Sequence, residues 1–224
     1  MLLREEVEMK VVKPQIPHNL KQVDDFKVSV YQMIHDESPV TGVRFLDEDI
    51  ENGEFNRIEI SQSKFEKCSF HKCSFDLGTF IDVEFRDCDF SNSNFSRVYF
   101  NRCRFIDCKC IGADFNEGII KHAIFEESNF QYSNFNKTKV TDSLFYHLDF
   151  TEASMEEAVL KGFVVKESKF IRNNFYKTLL AKVDFTDSDF IAPIVSVPPY
   201  ELKGVIINMF QAVNLMSLWG IVVK

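Results

Sequence analysis

The stretch "CSFHKCSFDLGTF", residues 68–80, puts Phe at 70, 75 and 80, with a small residue (Cys68, Cys73, Gly78) two places before each. A helix spaces its buried residues by three and four, a strand by two. A spacing of five is neither, so it marks a repeat. Read outward, every fifth residue from Phe45 to Phe190 gives 30 positions, 21 of them Phe. The other nine are Ile50, Ile60, Cys110, Ile120, Val140, Met155, Leu160, Val165 and Leu180, and none is polar. Of the 24 Phe, only Phe26, Phe163 and Phe210 lie off this register. A second register, two residues earlier, is mostly small: Ser63, Cys68, Cys73, Gly78, Val83, Cys88, and on less strictly to Ser188. Leu148, Phe163 and Asn173 are its oversized or polar exceptions.

Two positions in five are therefore expected to point inward, one large and one small, and three outward. A segment this short cannot bury its own Phe, so neighbouring repeats must stack. Backbone pairing between stacked coils sets a step of about 4.8 Å. Phe then lies on Phe, leaving no pore.

The units "CSFHK", "CDFSN", "SNFSR" and "ADFNE" resemble the pentapeptide-repeat family, whose pattern is a small residue, a polar residue, Leu or Phe, then two variable positions. The resemblance implies an all-β fold, a right-handed quadrilateral parallel β-helix. Four fives then make one coil, and residues 41–192 form about 7.5 coils without loop insertions, a rod of roughly 36 Å.

The ends differ from the middle. Residues 1–40 lack the register and are expected to form an arm, broken by Pro14 and Pro17, and a cap. Phe26, Val28 and Val30 alternate, which predicts a capping strand. Pro198-Pro199 closes the repeats, and residues 193–224 read as strand, helix, strand. The first strand is Gly204-Val205-Ile206-Ile207, and Ile221-Val222-Val223 is the last. Between them Asn208 and Gln211 have capping-box spacing. The predicted helix covers 209–218 and ends at Gly220. It presents Met209, Phe210, Ala212, Val213, Met216 and Trp219, with Ile221 beyond; so much apolar surface reads as a dimer interface rather than a cap alone. Gly204, Gln211-Ala212, Leu215 and Gly220-Ile221-Val222 are similar to the tail of the quinolone-resistance pentapeptide proteins, the Qnr and MfpA group. That resemblance implies a homodimer through this segment. It also implies a partner, DNA gyrase or topoisomerase IV. The plasmid-borne members carry loops; this uninterrupted chain looks more like the loopless members.

Formal charge is −8, which argues against direct nucleic-acid binding. No run of 18 apolar residues predicts a membrane helix. The start "MLLREEVEMK" carries acids where a signal peptide has its apolar run, so a cytoplasmic location is expected. Five of the six Cys hold small inward positions and Cys110 a large one, which reads as core rather than metal or disulfide. No phosphate loop, nucleophile elbow or metal motif occurs, and neither an enzyme nor a cofactor is expected.

Residues 20 apart share a column. Asp47, Asp87, Asp107, Glu127, Glu167 and Asp187 share one with Lys67 and His147. Asp49, Asp89, Asp149 and Asp189 share its neighbour with Ser69, Lys109, Asn129 and Lys169. Arg57, Arg97, Lys137 and Lys177 form a basic column elsewhere, and Lys121 and Lys161 another. The acidic edge reads either as ordinary solvated surface or as a partial mimic of DNA. Ten acids over roughly 36 Å are sparser than the one charge per about 1.7 Å of B-DNA. Ile119, Ile124, Leu144, Val159, Val164 and Leu179 stand at outward positions, either packing coils laterally or forming a contact patch. The expected function is protection of gyrase or topoisomerase IV from fluoroquinolones; the alternative is an interaction scaffold for another protein.

Overall fold

The structure, a computed structural model, describes residues 11–23, 25–36 and 38–222, and of Ile34 only the backbone. It is a right-handed, four-sided parallel β-solenoid. Between residues 40 and 194 every ladder steps by 20 residues: Val40 pairs Ile60, Phe65 pairs Phe85, Phe105 pairs Phe125, and Asn174 pairs Ile194. No insertion breaks this step. Both inward registers are buried, and Phe70 and Phe90 stack at 5.5 Å and 5°. The cysteines are free and buried. Burial pushes the Cys103 thiol up to about 12. Among the described residues no His, Cys, Asp and Glu cluster could hold a metal ion.

The corners have a conformation that the spacing did not reveal. Every residue two places after the large register, from Gly42 to Lys182, has positive φ, between 46° and 69°. This left-handed turn swings the chain onto the next side and aims the corner N–H along the rod. Asp87 N donates to the Ile106 carbonyl at 3.0 Å, and Arg97 N to Asn116 at 2.7 Å. Asp, Asn, Lys, Arg and Glu fill most of these corners, where nearly all side chains reach solvent; Asp82 is the buried exception.

The N-terminal cap corrects one expectation. Phe26, Val28 and Val30 do not alternate in a strand; they lie on helix α1, Phe26–His35. Phe26 and Val30, four apart, are both fully buried, while Val28 is 63 % exposed. Asp25 Oδ1 accepts from Val28 N at 2.9 Å, an N-terminal cap. The Phe26 ring closes the open end, 4.9 Å from Phe45, Phe55 and Phe70. The ladder itself begins before residue 41, where Lys21–Val23 pairs Val43–Phe45. Upstream, residues 11–20 run irregularly over the outer face. Gln15 N donates to Asp82 Oδ1 at 2.9 Å, and Val11 packs on Ile124 and Leu144. The outward apolar residues thus divide: Ile124 and Leu144 lie beneath this arm, whereas Ile119, Val159 and Leu179 are exposed. Residues 1–10 lie outside the described set.

At the other end helix α2, Met209–Leu215, continues as a 3-10 turn, Met216–Trp219, and Gly220 ends it in the left-handed conformation. The capping box at Asn208 and Gln211 is present. The two flanking strands are not. Residues 204–207 form a single bridge, Asp184 to Ile206, because the last coil offers only one more turn of edge to pair with. Ile221 and Val222 are exposed and, among the described residues, pair with no strand; Ile221 N donates only back to the Met216 carbonyl at 3.2 Å, and Val223 lies outside the described residues.

Candidate functional site: an acidic edge and an apolar end

The 20-residue step turns one corner into a charged edge. Asp49, Ser69, Asp89, Lys109, Asn129, Asp149, Lys169 and Asp189 bridge in turn, coil upon coil. Across the corner, Asp47, Asp87, Asp107, Glu127, Glu167 and Asp187 are all exposed. The structure therefore brings together all ten acids of the expected edge.

Their partners divide the edge in two. Among the described residues, Asp47, Asp49, Asp87, Asp89 and Asp107 make no ion pair, nor does Asp189 at the far end. Farther along, Lys169 approaches Asp149 at 3.6 Å, and Lys166 approaches Asp187 at 3.0 Å. His147 sits between Glu127, at 2.7 Å, and Glu167, at 4.0 Å. A shallow trough of about 500 Å³ runs here, with Asp107, Glu127, Asp149 and Glu167 among its walls. Partial burial pushes the Asp149 carboxyl up, but hydrogen bonds from Thr151 and Gln131 and the charge of Lys169 outweigh it and hold it below its usual value.

The basic columns are less open than their sequence implies. Arg97 forks onto Asp76, and Lys177 meets Glu157 at 2.7 Å. Asp82, held by Gln15 N, also takes both arms of Arg102 at 2.6 Å.

The apolar end lies beyond the last coil. Leu202 and Leu215 are buried against the core, so part of the tail is a cap. Gln211 fastens α2 to the rod: its Nε2 donates to the Phe185 carbonyl at 2.8 Å and the Ser188 carbonyl at 2.7 Å. The opposite face leaves Met209 and Phe210 each 74 % exposed, with Val213, Met216, Trp219 and Ile221 beside them. Ala212, expected with them, is half-buried. Exposed apolar surface on this scale is uncommon on a monomeric protein. One anchor went unforeseen. The buried Glu201 carboxylate accepts from Lys177 N at 2.8 Å, Ser196 N at 3.1 Å and Ser196 Oγ at 2.7 Å. Nothing in its sequence setting, "PPYELK", separates it from a surface acid.

Comparison with known proteins agrees with this geometry. The pentapeptide repeat region, as a family model, matches residues 78–153. The same register continues on both sides of that stretch, so the fold of the chain is that of a pentapeptide-repeat β-helix. Among solved structures it is similar to a trypsin-treated variant of QnrB1, a plasmid-mediated fluoroquinolone resistance protein. That match has 20 % identity and a TM-score of 0.55, over 82 % of this chain and 92 % of the other. Full-length QnrB1 matches at 18 % identity and TM-score 0.54, over 90 % and 95 % of the two chains. At these identities the likeness is one of fold. A comparison with curated protein sequences gives no match. No helix among the described residues is long and apolar enough to cross a membrane.

Proposed function

We propose that this protein binds a type II topoisomerase, DNA gyrase or topoisomerase IV, as a partial mimic of DNA and so protects it from fluoroquinolones. It acts by binding and catalyses no reaction. The observation that carries this reading is the run of unpaired acids, Asp47, Asp49, Asp87, Asp89 and Asp107, along one edge of a stiff rod. A basic cleft built for DNA meets the right sign and a rod-like shape in this edge. The field of such an edge acts mainly on encounter and orientation. Two copies joined through Met209, Phe210, Val213, Met216 and Trp219 would make a longer rod with acidic edges in both halves. The fold likeness to QnrB1 supports the same reading.

The test is a gyrase supercoiling assay poisoned with ciprofloxacin, titrated with the purified protein. Rescue is expected from the parent chain. Changing Asp87, Asp89 and Asp107 to Asn, and Glu127 to Gln, should weaken binding to gyrase and flatten its salt dependence. Neutralising Arg57 and Lys72, which stand on other columns, should leave binding equal or slightly tighter. Absence of rescue by the parent, or equal binding by all variants across a salt series, refutes the reading.

A further inference from the structure

The coil stacking has one fault, away from both features above. Strand Val159–Lys166 pairs along one edge with Lys139–Tyr146 across two sides of the solenoid. Among the described residues its other edge pairs with no strand. At earlier coils each corner N–H reaches the next coil: Arg102 N to Lys121 O and His122 N to Thr141 O at 3.0 Å, and His147 N to Lys166 O at 3.0 Å. Among the described residues, the N–H groups of Leu160, Gly162 and Glu167 find no such acceptor. The ladder closes again on the remaining sides, where Asn174 pairs Ile194 and Lys169–Ile171 pairs Asp189–Ile191. The chain at 179–187 has therefore lifted off the coil below along two adjacent sides. The cause is legible in the side chains. In this coil the sizes are exchanged, with Phe163 in the small register and Val165 in the large one. The Phe163 ring meets Phe145 edge-on at 4.8 Å and takes the space that Val165 leaves. A ring at a position made for Ser or Ala keeps the next coil from seating.

The gap opens to solvent as a cleft of about 440 Å³ lined by Glu157, Ala158, Val159, Leu160, Lys177 and Leu179. Leu160 alone in the large register is not fully buried. Val159 and Leu179 are 59 % and 66 % exposed. Lys139 is laddered to Val159 of the cleft, Lys161 follows Leu160 and Lys182 lies three residues past Leu179; among the described residues these lysines make no ion pair. Glu157 in the cleft wall is paired with Lys177, and Asp142 lies against Gly162, so these three lysines outnumber the unpaired carboxylate beside them.

We propose that this cleft docks an extended, acidic segment of a partner protein that carries an aliphatic side chain. The aliphatic group enters between Leu160 and Leu179. Oxygen atoms of the segment accept from the idle N–H groups of Leu160 and Gly162, as an added strand does at a sheet edge. Its carboxylates face the three lysines. The site shares no residue with the acidic edge or the apolar end, so it stands or falls without the topoisomerase reading.

The experiment needs no topoisomerase. A short fluorescent peptide of alternating Leu and Glu is titrated into the full chain by anisotropy, while amide exchange is followed by NMR. In the free protein the amides of Leu160 and Gly162 should exchange much faster than those of Ile120 and His122, which are paired. The peptide should bind saturably and slow both amides. The outward double change Val159→Asp with Lys161→Glu should weaken binding about tenfold or more, and a Leu–Lys peptide should not bind. The proposal is overturned if Leu160 and Gly162 are already protected in the free chain. It is equally overturned if the Leu–Glu peptide shows no saturation, or if its binding survives the double change.

Discussion

Removing the Phe115 ring should weaken the rod by an amount that the stacking allows one to bound. Phe115 is fully buried, and its ring lies 5.2 Å from Phe95 at 5° and 4.5 Å from Phe135 at 16°. Phe130 and Phe100 approach at 6.0 and 6.3 Å. A buried Phe→Ala change costs about 3–5 kcal/mol. Two stacked neighbours, each contributing about 0.5–1.5 kcal/mol beyond area, place Phe115→Ala in the upper half of that range. For a chain of this length each kcal/mol lowers Tm by about 2–4 °C, so a fall of roughly 8–20 °C is expected. The control is Asn94, next to Phe95 but outward. Its Oδ1 accepts from Ser96 N at 2.9 Å, and its Nδ2 donates to Ser74 Oγ at 3.3 Å. Asn94→Ala gives up these solvated bonds and should cost about 1 kcal/mol. Thermal melts followed by circular dichroism read both. If the two variants melted within about 1 kcal/mol of each other, the assignment of inward and outward positions would be wrong.

Other outcomes follow from the ends. Val213→Glu with Met216→Glu should give a folded monomer by sedimentation at micromolar concentration, since a dimer would bury those charges without partners; a parent chain that sediments as a monomer refutes the interface. Point changes are preferable to deleting 204–224, because deletion also strips Ile206 from Asp184 and Gln211 from the Phe185 carbonyl. Burial pushes the Glu201 carboxyl up, but three donors outweigh it and hold it below its usual value. Its contribution is therefore complete above the unfolded carboxylate pKa of about 4.3 and is lost as pH falls through the lower folded value. Glu201→Gln should remove that part of the acid dependence, read as amide exchange of residues 196–202 against pH. Phe26→Ala should open the N-terminal coil and speed exchange at Phe45 and Phe65, leaving Phe135 unchanged, because a solenoid couples nearest neighbours only.

The period of five was enough to place the inward residues and the stacked columns, because one side chain in five must meet its counterpart 20 residues on. It said nothing of the positive-φ corners. These are backbone states filled here mostly by Lys, Arg, Asp, Asn and Glu, with Gly only at 42, 112 and 162, too few to betray the pattern. Helix α1 was misread because Phe26, Val28 and Val30 satisfy a period of two by coincidence, while Phe26 and Val30 are also one helical turn apart. The tail was legible at Asn208, Gln211 and Gly220, where capping chemistry is local. It was misread at 204–207 and 221–222, where β-propensity was present but no edge was available to pair. The charged edge was legible as a set of columns. Which acids stay unpaired was not, since Lys166 reaches Asp187 across a corner rather than along a column.

The same period explains why irregularity is informative in this fold. A solenoid adds coils by repeating one interface, so a substitution in one register is felt by the coil above and the coil below. Ile for Phe at 60 or 120 keeps an apolar filler and the ladder continues through it. Cys110 leaves a smaller filler, yet Phe115 lies 6.0 Å from Phe130, close to the 6.3 Å of Phe80 and Phe95, and the backbone pairing beside Cys110 stays intact. At 163–165 the exchange moves bulk from one register to the other, which neighbouring rings cannot absorb by tilting, and the backbone separates. Restoring the order with Phe163→Ser and Val165→Phe should close the ladder and slow exchange at Leu160 and Gly162. If those amides stayed fast in a folded double variant, the exchange of sizes would not be what holds the coils apart.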